Sequence, residues 1–236
     1  MIKKQELPLI FESMAILMGT IIGGGIFVLP YVNIKSGIWA TNFWLFFLCI
    51  IMCLLHLIFG EIILKTDQEM KLPGYAGFYL GKIFKKFLNF VSIFSIAFSL
   101  LIYLLLANKF IQVLMGDNFI NIKPYTFLII WMILNVFLFL KMANTSKLNF
   151  ILTILLIILM LVLSYLCFTK INILKIFDSS VITNFWYVSY GVIFFAIDGL
   201  VAMPMMFNFL RHKKASKQVY KKSVIWSYLC IFIIFF

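Results

Sequence analysis

Apolar segments of about twenty residues follow one another along most of this chain, and they constrain its fold more than any other feature. Apolar residues make up 64% of the 236 residues, and only 12% are charged. In hydrocarbon every backbone N–H and C=O group must find a partner within the protein, and an α-helix achieves this within one segment. We therefore predict an all-α polytopic membrane protein, embedded in a lipid bilayer.

Seven apolar segments are predicted as membrane spans. Their approximate limits are 11–33, 38–64, 87–115, 124–141, 148–169, 184–209 and 224–236. The last has 13 residues and measures about 20 Å as a helix, whereas the hydrocarbon core is roughly 30 Å thick. Either this helix inserts only partly or the chain is a fragment of a longer protein. We expect a fragment that forms a single transmembrane domain over residues 1–236.

The basic residues indicate the orientation of the spans. Lys and Arg number 20, and the formal net charge is +12. If the N-terminus is cytoplasmic, 15 of them lie inside and five outside, which is the bias of the positive-inside rule. A charge of this size can indicate nucleic-acid binding in a soluble protein, but these residues flank apolar segments. We therefore expect a multi-pass protein of the cell membrane with a cytoplasmic N-terminus and no nucleic-acid partner.

Two spans contain glycine and proline residues that a continuous helix avoids. Gly25 precedes Pro30 by five residues, and Gly199 precedes Pro204 by the same interval. Close helix packing explains two glycines four residues apart, but it does not explain the three consecutive glycines at 23–25. We predict that both spans are broken, because paired interruptions at corresponding places are typical of secondary transporters.

The predicted breaks lie near residues 21–24 and 197–200. The half-helix that begins near Gly25 presents free N–H groups and a positive dipole end, which suit a carboxylate. Backbone carbonyls that end the first half of each span suit an ammonium group or a cation, and they belong to Thr20, Ile21, Phe194, Phe195 and Ala196. Together these helix ends suit a zwitterion such as an amino acid.

Asp198 is the only acidic residue near the centre of a predicted span. A carboxylate at this depth is costly, so a functional role is the default interpretation. It can carry a proton or pair with a substrate amine. Alternatively, it caps the half-helix that follows the break. Both interpretations remain open at this point.

Three other polar residues are weaker candidates. Glu61, at the inner end of the second span, is predicted to be a buried anchor or a gating partner for a cytoplasmic lysine. His56 is interpreted as a packed histidine instead of a proton relay. Tyr103, in the middle of the third span, can reach a central ligand with its hydroxyl, although ordinary packing explains it equally well.

Several motifs together resemble a known family. Residues 19–30, Gly-Thr-Ile-Ile-Gly-Gly-Gly-Ile-Phe-Val-Leu-Pro, are similar to the first-helix motif of the amino acid–polyamine–organocation (APC) transporter superfamily. The nearest resemblance is to its aromatic and hydroxy amino-acid permease branch. Residues 59–61 and 72–82 resemble that branch's loop after the second helix, and residues 195–199 with 203–204 resemble its sixth-helix motif.

The resemblance implies a LeuT-like fold of ten core helices in two inverted five-helix repeats. The first repeat would cover about 11–169, and the second would begin within about 184–236. Members of the family usually carry an uncharged residue at the position of Asp198, and the helices that correspond to their helices eight to ten are not in this chain. A sodium site that takes ligands from helix eight would therefore be incomplete here.

The resemblance also implies roles for individual residues. The substrate carboxylate would contact the backbone of Ile22, Gly23, Gly24 and Gly25, and its amine would contact the backbone at 194–196. Phe195 would close over the substrate as a gate, and Tyr103 would line the site. Asp198, Phe195 and Glu61 are the candidates for coupling and gating, and Asp198 and Gly199 also adjoin the substrate. Transport would be coupled to a proton or to Na⁺.

The leading hypothesis is a secondary active amino-acid transporter, a permease that works by alternating access. The alternatives are an amino-acid-sensing membrane receptor of the same fold, similar to the germination permeases, and a truncated remnant that does not transport. An enzyme is not expected, because no nucleophile, metal cluster or acid pair lies at catalytic spacing. No cofactor is expected apart from the coupling ion. The abundant phenylalanine does not indicate an aromatic substrate, because it occurs on every segment.

Overall fold

The computed structural model describes residues 6–23, 25–66, 68–115, 125–139, 155, 158, 161, 162, 165 and 186–236. The regular structure of these residues is entirely helical, which confirms the predicted all-α class. The chain divides into two compact units. One consists of Met1–Leu72 with Leu148–Phe236, and the other of Pro73–Lys147.

The described helices are α1 (Leu7–Ile21), α2 (Gly25–Ser36), α3 (Ile38–Lys65), α4 (Leu72–Tyr79), α5 (Lys82–Met115), α6 (Thr126–Phe139), α7 (Trp186–Ala196), α8 (Ala202–His212) and α9 (Lys217–Phe235). The second unit contains α5, α6 and all but the first residue of α4, and α5 packs against α6. The other six helices belong to the first unit, which contains both predicted helix breaks.

Three helices of the described residues are long and apolar enough to cross a membrane, namely α3, α5 and α9. α1 and α2 pass the same test as a pair, bent by 59° where they meet. α3 occupies the predicted span 38–64, α5 contains 87–115, and α6 overlaps 124–141. The predicted span 184–209 is divided between α7 and α8. The predicted span 148–169 lies almost wholly outside the described residues.

The last helix is longer than the sequence predicted. α9 begins at Lys217 instead of Val224 and has 19 residues, or about 28 Å at 1.5 Å per residue. The Ser216 hydroxyl oxygen accepts a hydrogen bond from the Val219 N–H at 3.4 Å and caps the first turn. Hydropathy placed the start too late because three lysines interrupt the apolar pattern, although a lysine at a helix end can extend its ammonium group towards water. The seventh segment is therefore corrected to a helix of near-bilayer length.

The two divided spans pack against each other in an antiparallel manner. α1 packs against α8, and α2 packs against α7, so the first half of each span meets the second half of the other. α3 packs against α2, α7, α8 and α9, and α9 also packs along α1. The breaks consequently lie side by side, with α3 and α9 flanking them.

Small hydroxyl residues allow α1 and α9 to approach closely. The Ser13 and Ser223 hydroxyl oxygens lie 2.6 Å apart and share a hydrogen bond. The Ser227 hydroxyl donates to the Ser223 carbonyl at 2.7 Å. All three side chains are buried. Small side chains with hydrogen bonds of this kind are typical of helix contacts within membranes.

Arg211, the only arginine of the chain, joins the C-terminal ends of α8 and α3. Its Nη2 donates to the Ile63 carbonyl at 3.2 Å and to the Thr66 carbonyl at 2.7 Å. Both carbonyls belong to the C-terminal end of α3, where the helix dipole favours a cation. The guanidinium therefore ties the second divided span to α3.

We expect Arg211→Ala to lower the free energy of unfolding by about 1.5–3 kcal/mol, because hydrogen bonds from a charged donor contribute about this much. Lys213→Ala is the matched control, since it removes the same charge from an exposed side chain two residues away. Thermal melts of both variants in detergent would measure the difference. Equal melting temperatures for the two variants would contradict a structural role for the guanidinium.

Candidate functional site

The first break lies between α1 and α2, at the residues where the sequence predicted it. The Ile22 N–H still donates to the Met18 carbonyl at 2.7 Å, but the Ile22 backbone then leaves the helix with φ −73° and ψ 85°. α2 resumes at Gly25, so its first N–H groups and its positive dipole end lie at the break. Gly24, predicted to contact a carboxylate, lies outside the described residues.

The second break lies between α7, which ends at Ala196, and α8, which begins at Ala202. The sequence predicted it near 197–200. The Ala202 N–H donates to the Gly199 carbonyl at 3.0 Å as the chain turns into α8. Pro204 is the third residue of α8, and in a first turn its missing N–H leaves no helical hydrogen bond unmade. The proline is therefore accommodated by restarting the helix just before it.

The two breaks are in direct contact, and glycine makes this possible. A Cβ atom at Gly25 would lie 2.5 Å from both the Cα and the Cβ of Ala196. A Cβ atom at Gly199 would lie 2.7 Å from the Cδ1 of Ile21 and 2.8 Å from the Cδ1 of Leu17. The start of α2 thus touches the end of α7, and the second break touches the end of α1.

The predicted site residues at the breaks differ in exposure. The buried ones are Ile21, Ile22, Gly25, Ala196 and Gly199, and all of these except Ile22 belong to the contact between the breaks. Gly23 and Phe195 are partly buried, whereas Thr20, Phe194 and Asp198 are exposed. The Thr20 hydroxyl donates to the Ile16 carbonyl within α1 at 3.0 Å. The buried contact is therefore formed by backbone and small or aliphatic side chains, with the polar side chains at its edge.

Asp198 uses one carboxylate oxygen locally. Its Oδ1 accepts a hydrogen bond from the Leu200 N–H at 3.0 Å, the two-residue spacing by which aspartate side chains stabilise turns. The side chain is otherwise exposed. This geometry supports the capping interpretation of Asp198, while its functional role remains a prediction.

Aromatic side chains extend from the second break along α7 to α3. Phe194 stacks on Tyr190 with 6.0 Å between ring centroids, and Tyr190 meets Trp44 edge-on at 5.1 Å. The Trp44 indole N–H donates to the Trp186 carbonyl at 3.1 Å. Of this group, sequence reasoning singled out only Phe194. The contact of Trp44 with α7 could not be predicted, because Trp44 and Trp186 are 142 residues apart in the chain. The group provides a continuous aromatic surface next to the break.

Sequence reasoning also missed a polar group at the second break, formed by Tyr228, His56 and the Ile197 carbonyl. The Tyr228 hydroxyl, on α9, donates to the Ile197 carbonyl at 3.3 Å. It also lies 3.3 Å and 3.4 Å from the two ring nitrogens of His56. His56 on α3 is fully buried. Nothing in the sequence relates positions 56 and 228, since their proximity depends entirely on tertiary packing.

Glu61 and Tyr103, the two remaining predicted residues, lie on α3 and α5. The Glu61 carboxylate pairs with the Lys221 ammonium group at 2.9 Å, joining α3 to α9. Each of these side chains is 52% exposed, so Glu61 is not a buried anchor, whereas its predicted pairing with a lysine is present. Exposed pairs of this kind contribute little to stability. Tyr103 lies on α5 in the second unit, and its role at the site remains a prediction.

Comparison with known proteins adds one finding. Residues 6–235 match the model of a family described as the tryptophan/tyrosine permease family. No curated protein and no solved structure matches the chain significantly. The family match covers both breaks and every described helix.

Proposed function

Since the chain belongs to the tryptophan/tyrosine permease family, we propose that it binds an aromatic amino acid at the two helix breaks and carries it across the membrane by alternating access. Membership of this family implies a multi-pass membrane transport protein with an amino acid as its substrate. The family also supplies the aromatic substrate class, which composition did not indicate.

The contact between the start of α2 and the end of α7 is the observation that best supports this proposal. Gly25 and Ala196 touch through their main chains, which brings a positive helix end next to a negative one. An amino acid carries opposite charges on adjacent groups. The backbone at 22–25 would hold its carboxylate, and the backbone at 194–196 would hold its ammonium group.

The side chain of the substrate would lie among the aromatic residues beside the second break. Phe194 and Tyr190 already stack there, and an indole or phenol ring gains from the same offset or edge-on contacts. Phe195, next to Ala196, would close over the substrate as a gate.

Two further features support this proposal, one on the repeats and one on the orientation in the membrane. The antiparallel packing of the two divided spans is what a two-fold relation in the membrane plane would produce. The lysine distribution supports a cytoplasmic N-terminus, and the plasma membrane is part of the proposal. Accumulation against a gradient would be driven by a proton or by Na⁺, with Asp198 and Glu61 as the candidate coupling and gating residues.

Uptake by the purified chain in proteoliposomes tests this function. We expect saturable uptake of labelled L-tryptophan or L-tyrosine that unlabelled aromatic amino acids inhibit and leucine does not. Proton and sodium gradients applied separately would identify the coupling ion. Saturable binding without accumulation would contradict transport and favour the sensing receptor. A folded protein that neither binds nor transports an aromatic amino acid would contradict the whole proposal.

A further inference from the structure

A buried histidine and a buried tyrosine meet beside the second break, and the site proposed above uses neither. His56 on α3 is fully buried, and Tyr228 on α9 is 3% exposed. Their rings meet edge-on with 5.3 Å between centroids. Buried ionisable groups within membrane helices are costly and usually serve a function.

The contacts of the imidazole define where its hydrogen lies. Nδ1 of His56 is 2.7 Å from the Met52 carbonyl oxygen. A carbonyl can only accept, so Nδ1 must carry a hydrogen. In the neutral ring Nε2 is then an acceptor, and in the protonated ring it becomes a second donor. The ring can therefore gain a proton at Nε2 without losing its contact with α3.

Tyr228 has one hydroxyl hydrogen and two acceptors within reach. The Ile197 carbonyl at the break lies 3.3 Å from the hydroxyl oxygen, and Nε2 of neutral His56 lies 3.4 Å from it. With His56 neutral, both acceptors compete for the one hydrogen. With His56 protonated, Nε2–H can only donate, to the hydroxyl oxygen or to the Gly199 carbonyl. Nε2 then no longer competes for the hydroxyl hydrogen, which is directed to Ile197.

We propose that His56 is a proton-binding site whose occupancy decides whether the Tyr228 hydroxyl holds the Ile197 carbonyl at the second break. The proton enters at Nε2, no covalent bond other than N–H is formed, and the hydroxyl hydrogen rotates from one acceptor to the other. In the protonated state the Tyr228 hydroxyl on α9 is hydrogen-bonded to the Ile197 carbonyl at the second break, and in the neutral state this bond can be lost.

Burial of the His56 ring disfavours a positive charge there, and the polar groups around the ring offset part of that cost. Asp198 acts electrostatically on His56 from the break, and the Gly199 backbone provides a further polar contact. α9 contributes Tyr228 and Tyr220, whose hydroxyl donates to the His56 carbonyl at 2.7 Å. Cys49 and Cys53 on α3 are the other titratable side chains near Tyr228. Asp198 is thus the only carboxylate among these neighbours, and it offsets part of the cost of a buried cation.

Ile197 directly follows Ala196, which touches Gly25 in the contact between the breaks. Fastening or releasing the Ile197 carbonyl therefore acts on the backbone to which the substrate ammonium group is assigned. This last step rests on the proposed function, whereas the proton site itself does not. We expect substrate affinity to depend on pH through His56.

The chain has two histidines, so His212→Gln leaves His56 as the only imidazole. His212 is a suitable residue to replace because its side chain is 77% exposed. Nuclear magnetic resonance of ¹³C,¹⁵N-histidine in nanodiscs then reports the protonation of His56 directly. We expect a reversible titration between about pH 4 and 8. A ring that stays neutral throughout would overturn the proposal.

Tyr228→Phe and Tyr220→Phe separate the proposed contact from general packing. Each removes one hydroxyl of α9, but only Tyr228 faces the imidazole, whereas Tyr220 contacts the His56 main chain. We expect Tyr228→Phe to move the titration midpoint by about 0.5 unit or more and Tyr220→Phe to leave it in place. Equal effects of the two variants would overturn the link between ring and hydroxyl.

Tryptophan binding at several pH values tests the link to the substrate site. Linked proton binding can change the dissociation constant by up to about tenfold per pH unit, and His56→Gln should remove this dependence. A pH-independent dissociation constant for the unaltered chain would overturn the link while leaving the proposed function intact. A complete lack of tryptophan binding would instead overturn the proposed function, and the histidine titration would still decide on the proton site.

Discussion

Replacing Gly25 with alanine is expected to reduce aromatic amino-acid uptake by about tenfold or more, whereas Gly191→Ala should leave uptake unchanged. The new methyl group at Gly25 would overlap the Cα and Cβ of Ala196, which are backbone-fixed atoms that cannot rotate away. α2 and α7 must then move apart, at a cost of about 1–3 kcal/mol for overpacking. Movement at this contact separates the two helix ends assigned to the carboxylate and ammonium groups of the substrate.

Gly191 provides a matched control because it lies on α7, one of the same two helices, and a Cβ atom there would meet nothing within 4 Å. Gly199→Ala should have an intermediate effect, since it would press against the flexible side-chain ends of Ile21 and Leu17. Initial uptake rates, normalised to folded protein, would rank the three variants. A Gly25→Ala variant as active as Gly191→Ala would contradict the placement of the substrate at this contact.

Asp198→Asn is expected to abolish uptake, or to uncouple it from the driving ion, without destabilising the protein. Asparagine retains the side-chain oxygen that accepts the hydrogen bond from the Leu200 N–H, so the turn is preserved and only the charge is lost. Asp198→Ala removes both the charge and the hydrogen-bond acceptor, and loss of a capping hydrogen bond costs about 0.5–2 kcal/mol. The asparagine variant therefore tests the charge alone.

Uptake and thermal melting of the two Asp198 variants would separate the two interpretations of this residue. If the charge is needed, both variants lose accumulation, and only the alanine variant also melts earlier. If the residue serves only as a cap, the asparagine variant should transport like the unaltered chain, with the same dependence on pH. That second outcome would remove Asp198 from the transport mechanism.

The sequence predicted the helical class and the positions of both breaks because these depend on local chemistry. The glycines at 23–25 cannot sustain a helix without packing, and Pro204 requires a helix start close before it. The predicted start of the last helix, Val224, was seven residues too late, and the reason is also local. Ser216 caps the helix at Lys217, whereas a hydropathy profile responds to the lysines and not to the cap.

Contacts between distant segments could not be predicted in the same way. The approach of Gly25 to Ala196 depends on the antiparallel packing of two divided spans. The group of His56, Tyr228 and Ile197 brings together three helical segments, and a single sequence contains no record of that proximity. The burial of His56 agrees with its interpretation as a packed histidine, whereas its contact with Tyr228 cannot be predicted from the sequence. The aromatic substrate class also required comparison with a family, because phenylalanine is too widespread here to indicate one.

Protection of a single cysteine tests most directly whether substrate lies at the breaks. In a variant whose four native cysteines are replaced by alanine, Thr20→Cys would place a thiol at the exposed end of α1 beside the first break. Glu12→Cys, exposed on the same helix about 12 Å away along its axis, is the control. We predict that L-tryptophan slows maleimide labelling at position 20 and leaves labelling at position 12 unchanged. Unchanged labelling at position 20, at tryptophan concentrations that saturate uptake, would contradict a substrate site at the helix breaks.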